Sequence, residues 1–153
     1  MVISINNEKG EITMKKFVVI LMILLYNCVL YASENFYDVE YVRNYDGDTI
    51  TVNINDVHPL LGDNINIRVR GIDTPEIRGK CQYEKDLAYE AKYFVENLLI
   101  SSNKINLINV ERGKYFRIVA DVIIDGVNLK DFLLDKEYIK LYNGGTKSKW
   151  CKK

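Results

Sequence analysis

The 153 residues suffice for one domain, and the 48% apolar and 27% charged content fits a folded globular chain rather than a disordered or collagen-like one. Lys and Arg number 21 and Asp and Glu 21, so the formal charge is zero. This excludes a partner held by bulk positive charge, and any nucleic-acid contact must come from local clusters.

Residues 14–33 read Met-Lys-Lys, an uncharged apolar run from Phe17 to Tyr31, then Ala32-Ser33. A basic start, a short apolar core and a small residue are the marks of an export signal, with cleavage expected near Ala32 and an uncleaved anchor the other reading. The run is shorter than the ~20 residues a spanning helix needs. Residues 1–13 match no targeting element. Lys9-Gly10-Glu11 can be encoded by a ribosome-binding sequence, so a start at Met14 is expected, with 1–13 an extension. The mature domain is then 33–153. Lys9, Lys15, Lys16, Glu8 and Glu11 leave with the first 32 residues, giving a net charge of −1. A secreted or periplasmic protein is expected, without stable membrane association once the signal is cut.

Cys28 leaves with the signal, so Cys81 and Cys151 remain. An even count in an exported chain favours a disulfide, with two free thiols the other possibility. His58, the one histidine, stands beside Pro59 in an expected loop and reads as a surface residue.

Along the mature chain, Tyr37 to Arg43 and Thr49 to Ile54 are β-rich runs around Asn44-Tyr45-Asp46-Gly47-Asp48, where Asp-Gly signals a hairpin. Residues 57–63 read as a loop. In 65–72, Ile65, Ile67 and Val69 alternate with Asn66, Arg68 and Arg70, which predicts a strand ended by Pro75. Residues 84–100 form one long helix, with Leu87, Ala91, Phe94 or Val95, and Leu98 as its apolar stripe. Two strands follow, 104–110 and 117–124, then a turn at Asp125-Gly126 and a short helix over 128–134. Tyr138 to Tyr142 is a last short strand, and the lysines of the tail read as solvated. Three strands, helix, two strands and a short helix fit a five-stranded OB-fold barrel, among other α+β folds.

Phosphodiester hydrolysis needs negative charge neutralised, a water oriented and a leaving oxygen stabilised. Paired carboxylates hold hard cations, arginines clamp phosphate, and a further carboxylate can take a proton. Asp46-Gly47-Asp48-Thr49, Asp73-Thr74-Pro75-Glu76, Arg68 and Arg117 offer that set. An EF-hand loop starting at Asp46 is excluded, because its sixth residue is Thr51 where Gly is required.

Asp46-Gly47-Asp48-Thr49-Ile50, then 67–76, then Lys114-Tyr115-Phe116-Arg117 resemble, in order and spacing, the staphylococcal nuclease (thermonuclease) family. The resemblance spans 38–142 and implies an OB-fold nuclease with the helix between strands three and four and the short helix after strand five. It implies Ca2+ held by Asp48, Asp73 and the Thr74 carbonyl. Glu76 is implied to activate water, and Arg68 and Arg117 to grip the phosphate. Lys114 and Tyr115 would contact a neighbouring phosphate, and Tyr142 would lie near a base. The implied substrate is DNA, RNA or both, cut to leave 3′-phosphate ends by a monomer. The chain departs from the family pattern at Phe116, where Gly is common, and in lacking a long C-terminal helix. A non-catalytic OB-fold module that binds nucleic acid or protein is the competing reading. Retention of Asp48, Arg68, Asp73, Glu76 and Arg117 argues against it.

Overall fold

The computed structural model describes residues 16–19, 34–113 and 117–151. The chain divides into two units, Met1–Ala32, of which 16–19 are helical, and Ser33–Lys153. Among the described residues no helix is long and apolar enough to cross a membrane.

The second unit runs β1 (Glu34–Phe36), β2 (Glu40–Asn44), β3 (Thr49–Asn53), α1 (Pro59–Gly62), β4 (Ile65–Val69) and β5 (Ile72–Asp73). Then come α2 (Gln82–Ser101), β6 (Ile105–Arg112), β7 (Ile118–Ile124), β8 (Val127–Asn128), α3 (Leu129–Asp135) and β9 (Lys140–Leu141). The main sheet has the order β1-β6-β7-β4-β3-β2, with β8 paired to β7. All its ladders are antiparallel except β4 with β7, which is parallel.

Alternation in the strands decides which side is core. Ile50, Val52, Ile67, Val69, Leu107, Ala120 and Val122 are all buried and form one apolar cluster with Val95 and Leu99 of α2. Burying such a side chain contributes roughly 1.5–3 kcal/mol, which is why the register of these strands is well specified.

The fold is α+β and OB-like, with the long helix in the expected place. Strand number and closure are corrected. The main sheet has seven strands, and β5 and β9 make a second, two-stranded sheet. The edge strands β1 and β2 are consecutive in the chain, joined through 37–39. There Val39 N donates to Ile105 O at 2.9 Å and Asp38 N to Asn106 Oδ1 at 3.0 Å. These bonds continue the contact with β6 beyond β1, and among the described residues no continuous ladder closes a barrel. The break sits where Asp38 adopts φ 58°, a conformation outside the extended range that pairing requires.

Three local expectations also shift. Residues 59–62 form a helical turn rather than a loop. Pro59 fits the first helical position, and His58 Nδ1 caps it by accepting from Leu60 N at 3.2 Å. The buried stripe of α2 is Glu84, Ala88, Ala91, Val95 and Leu99, so Leu87, Phe94 and Leu98 flank the seam instead of forming it. The small alanines let α2 lie close to the Asp46–Asp48 turn. Asp125 (φ 48°) and Gly126 (φ 91°) make the tight β7–β8 turn that Asp-Gly signals. Cys81 and Cys151 are bonded across 70 residues, with Cα atoms 6.0 Å apart.

Candidate active site

The site lies where β3 begins and β4 and β5 end. Thr49 pairs with Arg68, and Val69 N donates to Asp48 O at 2.9 Å, so the 46–48 turn is held against the end of β4. Gly47 is required here by space, not by φ. A Cβ on it would lie 2.9 Å from Thr74 Cγ2 and 3.2 Å from Ala91 Cβ. The Asp-Gly-Asp turn is thereby wedged between the Thr74 segment and α2.

Asp48 and Asp73 are 1% and 2% exposed, and Thr74 is buried beside them. Thr74 N donates to Asp48 Oδ2 at 2.9 Å and Thr49 Oγ1 to Asp48 Oδ1 at 3.2 Å. The Arg68 guanidinium pairs with Asp48 Oδ1, lies 3.5 Å from Asp73 Oδ1, and donates from Nη2 to Ile72 O at 3.0 Å. Asp73 Oδ1 and Thr74 Oγ1 are buried without a well-aligned hydrogen bond. Glu76 is set differently, with its side chain 45% exposed at the mouth. The structure thus brings together Asp48, Arg68, Asp73, Thr74 and Glu76.

Arg117 stands just before β7, where Gly113 N donates to Arg117 O at 2.7 Å. It and Arg68 line one cavity of about 580 Å³ with Gly71, Val119, Tyr142 and Asn143. Tyr142 is placed by its N–H donating to Gly71 O at 2.9 Å. Arg70 lines the same cavity but is engaged by Glu111 at 2.6 Å and by Asn109 O. Arg68, which also lines it, is engaged by Asp48, Asp73 and Ile72 O, so the cavity wall carries Arg117 beside a guanidinium already held by the carboxylate pair. Lys114 and Tyr115, like Phe116, lie outside the described residues.

Several residues of the site were not singled out from the sequence. Lys147, expected in a solvated tail, reaches back so that Nζ lies 2.7 Å from Asp73 Oδ1 and 2.5 Å from Glu76 Oε1. Burial disfavours its charge, but the Asp73 and Glu76 carboxylates outweigh that and hold it above its ordinary pKa. Burial pushes Asp46 upward, with Arg68 opposing and Glu76 reinforcing. Burial also draws Arg68 down, against the pull of Asp46 and Asp73.

Asn44 is the second addition. Its amide donates to Asp46 O at 2.9 Å and to Lys92 O at 3.0 Å, tying the turn to α2. Tyr41 OH in turn donates to Asn44 Oδ1 at 2.6 Å. Burial, with the charge of Glu96, raises Tyr41 to about 12 from 10.0. A raised acid pKa stabilises the fold fully below the unfolded value and loses that effect through the folded value. Tyr41→Phe is expected to cost about 1 kcal/mol at neutral pH. It should also remove the fall in stability between pH 10 and 12. Urea melts across that range check both, and an unchanged alkaline limb would refute the assignment.

Among the described residues, the His, Cys, Asp and Glu trio with donor atoms within 4.8 Å of one another is Cys81, Glu84 and Cys151. Its two sulfurs are bonded to each other, which leaves no thiolate to ligate. Asp48, Asp73 and Glu76 do not form such a group, and Arg68 and Lys147 stand among them.

The family of staphylococcal nuclease homologues matches residues 66–149, from β4 to the tail. The chain belongs to this family. No curated protein matches it. The matched span carries Arg68, Asp73, Thr74, Glu76, Arg117, Tyr142 and Lys147, while Asp48 reaches the same site from outside it. Membership places the chain with nuclease-type proteins that act on nucleic acid.

Proposed function

We propose that this staphylococcal nuclease homologue is an exported, calcium-dependent nuclease. Its substrate is DNA, RNA or both, and cleavage leaves 3′-phosphate ends. The observation that carries this reading is the pair of buried carboxylates, Asp48 and Asp73, set against Arg68 with Glu76 at the mouth.

The donor set fits a hard divalent cation. Every candidate ligand is an oxygen, and Asp73 Oδ1 is buried and lacks an aligned donor. The absence of His and Cys from the set disfavours zinc. Asp48, Asp73 and the Thr74 carbonyl would hold the ion. Bound there, it would offset negative charge on the phosphate and its transition state.

The remaining work falls to the chain. Arg68 and Arg117 face one cavity, so their guanidinium groups can take two non-bridging phosphate oxygens and fix the phosphorus between them. Both are held by a β-framework, Arg68 on β4 and Arg117 at the foot of β7, so little reorganisation is needed as charge develops. Glu76 is accessible to solvent, and its carboxylate orders a water and accepts its proton during attack. Tyr142 offers a ring beside the cavity for a base to lie against.

The test is cleavage of an end-labelled oligonucleotide by the full-length protein, with millimolar calcium or excess chelator. Calcium-dependent cutting with 3′-phosphate termini is expected. Cutting that persists in chelator would overturn the metal role. Folded protein that binds the oligonucleotide without cutting it would favour a binding module.

A further inference from the structure

Residues 142–151 return over the site as a strap fixed at both ends. One end leaves β9, which is paired with β5 so that Asp73 faces Lys140 in register. The other end is bonded through Cys151 to Cys81, at the start of α2 and five residues after Glu76. Between these anchors the strap makes further contacts. Tyr142 OH donates to Gly145 O at 2.9 Å and Lys140 Nζ to Lys149 O at 2.6 Å, while the same ammonium lies 4.2 Å over the Trp150 ring. Lys147 sits mid-strap, at the wall of a cavity of about 530 Å³ shared with Asp73, Glu76, Lys80 and Trp150.

We propose that Lys147 is a tethered counter-cation for the Asp73–Glu76 pair, which a divalent metal ion must displace before it can bind. The proposal rests on the reading of Asp73 as a metal ligand.

An exposed ion pair between two free side chains would be worth little. This one differs in two ways. Asp73 is 2% exposed, and its Oδ1 has no aligned hydrogen-bond donor, so its charge must be met by cations. The ammonium is also delivered by a strap anchored on both sides. Such linkage gives effective concentrations on the order of millimolar, and it is lost only when geometry forbids the contact. A metal ion and an ammonium on the same carboxylate oxygen repel each other, so the two states exclude one another. The consequence is a raised metal threshold. Apparent metal affinity is scaled down to the fraction of molecules whose site is free of Lys147.

The experiment is a calorimetric titration of calcium into the full-length, disulfide-bonded protein, free of nucleic acid. Lys147→Ala is expected to tighten binding by about three- to tenfold, as when the ammonium fills the site two-thirds to nine-tenths of the time. Lys149→Ala removes the same charge from the same strap without touching a carboxylate, and should change affinity by less than about twofold. Asp73→Asn should abolish binding with or without Lys147. If Lys147→Ala binds no tighter than wild type while Asp73→Asn abolishes binding, the competition is refuted and the metal site survives. Equal tightening by Lys149→Ala would reduce the effect to long-range charge and also refute it. Absence of binding in wild type and Lys147→Ala alike would remove the metal reading, and this inference with it.

Discussion

Glu76→Gln is expected to slow phosphodiester cleavage by about a hundredfold or more while leaving the melting temperature almost unchanged. The two halves of the expectation have separate causes. Glu76 is nearly half exposed, and its side chain pairs with Lys147, so the amide costs the fold one surface pairing. The same change removes the carboxylate proposed to take a proton from water. Arg68→Ala should lose about 10²–10³ in rate, as removal of a preorganised charge donor does. It also strips Asp48 and Asp73 of their buried partner, so it should lower stability as well. Arg68→Lys separates the two effects. It keeps the charge beside Asp48 and loses the planar fork that grips two oxygens, so stability should recover further than rate. Single-turnover cleavage with matched thermal melts decides the matter. A folded Glu76→Gln protein with near-wild-type rate would end the role assigned to Glu76.

The parts of this site that were legible in the sequence are those fixed by short-range chemistry. Asp48 sits one residue before β3 and Asp73 ends β5, and each position follows from turn residues and alternation a few residues away. Arg68 was readable as a polar position on an alternating strand, although only the resemblance gave it a phosphate to hold. The order of elements was legible for the same reason. What was not legible depends on distant chain meeting in space. Ala91 and Val95 of the expected α2 stripe are buried, but Glu84, Ala88 and Leu99 complete it in place of Leu87 and Leu98, because the helix is turned by what it packs on: Glu84 accepts from Lys80 N, and Ala91 lies against the Gly47 turn. Asn44 looks like a turn residue, and its bond to Lys92 O spans 48 positions. Lys147 looks like a solvated tail charge, and only the β5–β9 pairing and the Cys81–Cys151 bond bring it to Asp73. The break in the first strand was not legible either, because a β-rich run gives no sign that Asp38 takes a φ of 58°.

Loss of the Cys81–Cys151 bond is expected to destabilise the domain by about 4 kcal/mol in the chain-entropy account, since it closes a loop of 70 residues. For a domain of this size that corresponds to a fall in melting temperature on the order of 15 °C. Beyond a few polar contacts and the Lys147 pairing, the strap has little burial to replace the bond. Its Trp150 is half-buried with an unpartnered indole N–H, and residues 143–149 are exposed. The Cys81→Ser, Cys151→Ser double variant and the reduced wild type should melt together, well below the oxidised protein. Equal melting temperatures, with full reduction verified by mass, would show that the link constrains nothing the fold lacks. Metal adds a second arm to the same melts. A ligand that binds only the folded state raises stability in proportion to the logarithm of its concentration over its dissociation constant. Releasing the strap also releases Lys147 from Asp73, so calcium should raise the melting temperature more in the reduced protein than in the oxidised one. The bond then has two opposed effects, stabilising the fold directly while holding in place the cation that calcium must displace.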